Sequence, residues 1–191
     1  MKHIKHPKND HPITESIGSR WSARAFNKHP ITDDVLNSLF EAARWAASAN
    51  NEQPWQYMYA HNGTEGFNKI FSCLAPGNQA WAGNAAILMV AAARKTFEAT
   101  KAVNLWNAHD LGMANSNLIH QALSHDIYAH LMGGFDKTRL ISELHLSEDT
   151  EPVCIIALGY LGNPNDLEEP FRTRELTERT RKPINEFTKA L

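Results

Sequence analysis

Between Val103 and His130 the only carboxylates are Asp110 and Asp126, and no lysine or arginine occurs at all. No other stretch restricts the fold so severely. Leu111, Ala114, Leu118, Ala122 and Leu123 fall near one face of a helix, and the remaining faces offer water almost no charge. Long helical material of this kind must be covered on most of its surface. In a chain of 191 residues, enough for one domain with a sizeable core, the sequence predicts a second copy of the chain as part of that cover.

The rest of the chain supplies the core. Ile87-Leu88-Met89-Val90-Ala91 and Pro152-Val153-Cys154-Ile155-Ile156-Ala157-Leu158-Gly159-Tyr160 read as buried strands. Trp55-Gln56-Tyr57-Met58-Tyr59-Ala60 reads as a strand with aromatics on one face. Thr32 caps a helix with Asp33 and Asp34 in its first turn and Val35, Leu36, Leu39, Phe40, Ala43 and Ala46 at helical spacing. Further helices are expected over Ile13 to Ile17, over Thr64 to Leu74 with a stop at Pro76-Gly77, and around Leu140, Ile141 and Leu144. Helices alternating with three to four widely spaced strands indicate an α+β domain rather than a doubly wound sheet. It spans residues 13–191, preceded by an arm over residues 1–12 that is rich in His, Lys, Pro and Asn and is expected outside the core.

Several classes of function are excluded at this level. A net charge of −2 provides no field for nucleic acid. The longest apolar run, Ala85 to Ala93, is too short for a bilayer, and the polar opening residues lack a signal core, so a soluble, cytoplasmic protein is expected. Cys73 and Cys154 sit in apolar runs without Cys-x-x-Cys spacing and read as reduced core thiols. Asn62-Gly63-Thr64 reads as a turn. The chain has no dinucleotide-binding glycine fingerprint, no phosphate-binding P-loop and no nucleophile elbow. His120, His125 and His130 are spaced by five, which on a helix turns each about 140° past the last, so they cannot share an ion. Only His3, His6 and His11 of the arm remain as metal candidates.

What is left is a set of groups suited to holding a nucleotide-like cofactor. Arg20 and Arg24 flank Ser22 and suit a phosphate, although two solvated surface arginines fit the same spacing. Ser48-Ala49-Asn50-Asn51-Glu52-Gln53-Pro54 joins helix to strand through more hydroxyl and amide groups than a helix-ending turn requires. Gly133-Gly134 bares backbone N–H groups, or simply closes a helix.

These pieces, taken together, resemble the FMN-dependent nitroreductase family. The resemblance runs from Ile13 to Phe187 and rests on Arg20-Trp21-Ser22-Ala23-Arg24-Ala25-Phe26, Leu39-Phe40-Glu41-Ala42-Ala43-Arg44-Trp45-Ala46-Ala47-Ser48, Asn51-Glu52-Gln53-Pro54-Trp55, Gly77-Asn78-Gln79-Ala80-Trp81, Gly133-Gly134-Phe135-Asp136, Ala157-Leu158-Gly159-Tyr160 and Arg181-Lys182-Pro183. It implies a central antiparallel sheet surrounded by helices, in an intertwined homodimer with FMN at the interface. Arg20 and Ser22 would hold the phosphate, joined by Arg181 and Arg179; Trp21 between them would belong to the cofactor site, and Arg24 would lie at the pyrimidine side of the flavin. Ser48, Ala49, Asn51 and Gln53 would come from the partner subunit, Asn78 would bond the pyrimidine edge, and the Gly133 N–H, flanked by Met132 and Gly134, would face flavin N5. No catalytic side chain is implied. Two positions depart from the family pattern: Ala47, where proline is frequent, and Trp81, where some members carry a basic residue. The implied activity is ping-pong hydride transfer from NAD(P)H to a nitroaromatic, quinone or activated alkene. A flavin-binding redox module without turnover, a specialised dehydrogenase or dehalogenase of the same fold, and a metal-binding interaction protein are the rivals. Trp106, Tyr128 and His130 could border the pocket or belong to the core.

Overall fold

A computed structural model describes residues 4–191. A four-stranded antiparallel sheet in the order β1-β2-β4-β3 divides the molecule. Its strands are β1 (Trp55–His61), β2 (Ile87–Arg94), β3 (Ile127–Met132) and β4 (Thr150–Tyr160), and every neighbouring pair is antiparallel. The helices are α1 (Glu15–Ser19), α2 (Asp33–Arg44), α3 (Glu65–Ser72), α4 (Pro76–Ala82), α5 (Asn107–Leu123), α6 (Lys137–Glu143) and α7 (Phe171–Leu176).

Both central strands are apolar on both faces, and each face seeds its own core. Leu88, Val90 and Ala92 of β2, with Ile155 and Ala157 of β4, pack against Phe67 and Ile70 of α3, Trp81 of α4, Leu140 of α6 and the Trp21–Phe26 segment. Ile87, Met89, Ala91, Ile156 and Leu158 pack on the other face against Leu36, Leu39 and Ala43 of α2 and Leu111, Ala114 and Leu118 of α5. Period-two alternation on an element buried on both faces yields this three-layer arrangement. Thr32 caps α2 by accepting from the Val35 N–H, as its position predicts. The pairing of β2 with β4 slips between Ala91 and Ala92, where Pro152 takes the next place and Val153 is bulged outward.

Three expectations require correction. The uncharged stretch is not one helix to His130: α5 stops at Leu123, Asp126 takes a left-handed conformation at φ 57°, and β3 begins at Ile127. Pro76-Gly77 ends one helix but also starts another, because proline fits the first turn of α4, where no intrahelical N–H bond is lost. The arm is not separate from the body, since Lys5 is 6% exposed and its Nζ donates to the Arg174 and Thr177 carbonyls at 2.7 and 2.6 Å. Lys8 pairs with Glu178 at 2.8 Å, so the arm is fastened to the tail. The predicted arm histidines form no metal-ligating group among the described residues, and His3 lies outside them. No helix among the described residues is long and apolar enough to cross a membrane. Cys73 and Cys154 are buried free thiols, and burial pushes the Cys154 pKa up to about 11.

Candidate functional site

The segment after α1 is held from beneath. His130 on β3 is buried, and its Nδ1 lies 2.9 Å from the Ala23 carbonyl, which requires the proton on Nδ1. Its ring packs on Trp81 at 4.4 Å between centroids. Burial lowers its pKa to about 4, opposed in part by the Ala23 hydrogen bond and aided by the weaker repulsion of Arg24, so the ring is neutral at pH 7. Trp21 is turned inward against Tyr128 at 4.4 Å, with its indole N–H directed at Glu175 Oε1 at 3.4 Å. The buried Glu175 also accepts from the Arg24 backbone N–H at 3.1 Å. Trp21, Tyr128 and His130 are therefore packing residues, which leaves Ser22 exposed and Arg20 and Arg24 half-buried.

The tail completes a basic wall. Arg179 donates both terminal nitrogens to backbone, to the Arg20 and Gly18 carbonyls, and so fixes the Arg20 segment rather than offering these nitrogens to a ligand. Burial, followed by mutual repulsion with Arg181, depresses the pKa of Arg20. Arg179 responds to burial and then to both neighbours. None of Arg20, Arg24, Arg179 and Arg181 forms an ion pair among the described residues. A cavity of about 580 Å³ is lined by Arg20, His120, Arg179, Arg181 and Lys182 together with Ile13, Ile17, Ile184, Phe187 and part of the arm. Two of its residues carry buried nitrogens without a hydrogen-bond partner among the described residues, His120 Nδ1 and Arg179 Nε. Crowded, unneutralised cations with orphaned nitrogens are suited to a multivalent oxyanion.

Asn78 and the diglycine are brought together. Asn78 Nδ2 donates to the Gly134 carbonyl at 2.9 Å, and the Ala75 N–H donates to the same oxygen at 3.0 Å. A side chain at Gly134 would meet Asn78 Nδ2 at 3.1 Å, whereas one at Gly133 would meet nothing within 4 Å. Gly134 is thus demanded by packing, and Gly133 leaves a bare, open backbone. Met132 is buried, its side chain in the core beneath α3 and α6 rather than open beside Gly133. Trp81 contacts Phe26, His130 and the Arg24 guanidinium inside the core, so at this departure from the family pattern the structure has a packing residue.

Among the described residues, the Ser48–Gln53 loop makes no hydrogen bond or ion pair to Arg20, Arg24, Arg179, Arg181 or the diglycine. It is strained and pinned. Asn50, Asn51 and Gln53 adopt φ of 54°, 56° and 49°, a region costly for side chains, although asparagine bears it best. Ser48 Oγ accepts from the Gln53 N–H at 3.0 Å. The Glu52 carboxylate is gripped by Arg94 and by the Glu98 N–H. At the other end, the buried Asp110 accepts the Ala49 N–H through Oδ2 at 2.9 Å and contacts His109 Nδ1 through Oδ1 at 3.0 Å. Sequence reasoning missed Asp110 and Glu175 as supports. A signal existed only for Asp110, a lone carboxylate in an uncharged helix. Glu175 was hidden inside a charged tail.

A family model described as "Nitroreductase family" matches residues 17–71 and 66–160. A protein of Archaeoglobus fulgidus named "Putative NADH dehydrogenase/NAD(P)H nitroreductase" is 24% identical over 157 residues, covering 80% of this chain and 87% of that protein. Among solved structures, "the oxidoreductase containing FMN" superposes with a TM-score of 0.89 at 30% identity, covering 98% of this chain and 96% of that one. A nitroreductase family protein from Clostridium difficile 630 shares the fold, with a TM-score of 0.72 at 20% identity over 94% of this chain and 98% of that one. Because the family model covers well over half of its length, the chain belongs to the nitroreductase family.

Proposed function

We propose that the chain is an FMN-dependent oxidoreductase that passes hydride from NAD(P)H to a small acceptor such as a nitroaromatic, quinone or activated alkene. The observation that carries the reading is the unneutralised Arg20, Arg179 and Arg181 wall with its orphaned nitrogens, in a chain 30% identical to an FMN-containing oxidoreductase over 98% of its length. FMN supplies two-electron hydride exchange, so the protein needs no nucleophile or acid of its own.

The residues divide the remaining work. Arg20, Ser22 and Arg181 would hold the phosphate, with Arg179 keeping the Arg20 backbone in place. Arg24, fixed through its backbone by Glu175, would place positive charge near the pyrimidine, where it favours the charge that reduction adds. Asn78 and the open Gly133 N–H would orient the ring system, whose reacting face must then serve donor and acceptor in turn. This single slot is why the kinetics are expected to be ping-pong. Ser48, Ala49, Asn51 and Gln53 of the partner subunit would complete the site. Support for a homodimer comes from apolar side chains left exposed at and just before α5, including Leu105 at 86%, and from Trp45 at the end of α2 at 76%.

Purified protein is expected to show a flavin absorbance spectrum and to oxidise NADH or NADPH when a nitroaromatic is present. Arg20→Ala should weaken FMN by about 1–3 kcal/mol through loss of a charge-assisted contact. Fluorescence titration measures this directly, and wild-type affinity in the variant would remove Arg20 from the site. A protein that stays colourless after addition of FMN would end the reading.

A further inference from the structure

A second cavity, of about 570 Å³, opens beside Gly133, and its lining includes Asn107, Phe135, Lys137, Glu151 and Val153. Its lining is mixed, and the apolar part has an identifiable origin. The slip in the pairing of β2 with β4 turns Val153 outward, to 38% exposure, and Val153 lines the cavity together with Phe135, Pro152 and the bare Gly133 backbone. The only charges among the lining residues, Lys137 at the start of α6 and Glu151 on β4, are engaged with each other and half-exposed. The lining therefore offers a neutral pair beside apolar side chains that suit a flat ring. From this juxtaposition we infer that the cavity is the acceptor pocket and that the Lys137–Glu151 pair is a charge filter, selecting uncharged aromatic acceptors and rejecting ionised ones of either sign.

The physical argument is one of competition. An anionic substituent can reach Lys137 only by drawing it from Glu151, and it meets the Glu151 charge as it does so. A cationic substituent faces the mirror-image problem. An uncharged substituent disturbs neither. Because a half-exposed pair is worth up to about 1 kcal/mol, the discrimination at stake is about fivefold for each sign. Removing one partner frees the other, so the preference shifts toward the opposite charge.

This inference rests on the flavin reading above, and the test separates the two. FMN-loaded wild type, Glu151→Gln and Lys137→Met are assayed by NAD(P)H oxidation with 4-nitrobenzamide, 4-nitrobenzoate and 4-nitrobenzylamine. The quantity compared is kcat/KM for each charged acceptor divided by that for the amide in the same protein. Glu151→Gln is expected to raise the benzoate ratio about fivefold and lower the benzylamine ratio, and Lys137→Met to do the reverse. A folding defect would lower all three acceptors together and leave the ratios where they were. Unchanged or parallel ratios in both variants, with wild type turning over the amide, overturn the filter and leave the flavin reading intact. A wild type that binds flavin but reduces none of the three overturns the filter and the proposed activity together.

Discussion

Asp110 changes how the loop from Ser48 to Gln53 is understood. A buried carboxylate must be compensated by donors, and here the donors are the Ala49 N–H and the His109 ring. The anion holds one end of a loop that carries three left-handed residues, and the Glu52 pairing with Arg94 holds the other. Without such clamps the loop would relax toward ordinary backbone angles and its amides would point elsewhere. Asp110→Asn keeps the size but not the charge, and is expected to cost about 1–3 kcal/mol of folding stability while loosening FMN binding. Urea denaturation and flavin titration measure the two effects separately, and a loss of stability with unchanged flavin affinity would sever the loop from the cofactor. At this scale the sequence was partly legible. Arg20, Arg24 and the diglycine could be picked out as candidates by residue type, because phosphate chemistry and close backbone approach restrict the choice, whereas Asn78 became a candidate only through the family resemblance. The supports Glu175 and His130 could not, since their roles depend on what lies above them after folding.

At the level of elements, α2, β1, β2 and β4 were readable because each carries a clean period and a definite start. β3 was not. Ile127 to Met132 continues the low-charge character of α5, and the break at Ser124-His125-Asp126 contains neither glycine nor proline. An aspartate performs the left-handed turn there, which composition alone does not reveal. That strand carries His130, and its burial has a consequence for pH. The unfolded chain takes up a proton near the ordinary imidazole value, whereas the folded chain resists until about pH 4. Stability is therefore complete above pH 6.5 and declines as pH falls toward 4, by about 3 kcal/mol at the lower end. Chemical denaturation at several pH values should show this slope. In His130→Asn, which retains a donor for the Ala23 carbonyl, the slope between pH 6.5 and 4 is expected to flatten.

For the whole molecule, α5, whose only carboxylate is Asp110, is the element from which the sequence predicts a second chain as cover. Its inward face is packed with Leu111, Ala114, Leu118 and Ala122, while Met113 and the preceding Val103, Leu105 and Trp106 remain exposed. If each cofactor site draws its arginines from one chain and its loop from the other, complementation follows. A chain carrying Arg20→Ala paired with a chain carrying Gln53→Ala should form a mixed dimer with one intact site and one doubly damaged site. Flavin content near half that of wild type is the expected result, measured on dimers purified through two different tags. If the loop serves its own chain, both sites stay damaged and the content falls to that of the single variants. The clasp between Arg179 and the Gly18–Arg20 backbone also sets a timetable. Arg20 is synthesised early, yet the bonds that seat it span 159 and 161 residues of sequence. Strands β1 to β4 are all complete by Tyr160, so every strand of the sheet precedes the arginine that clasps the Gly18–Arg20 backbone. The final seating of Arg20 must therefore wait for residue 179, after all four strands have been made.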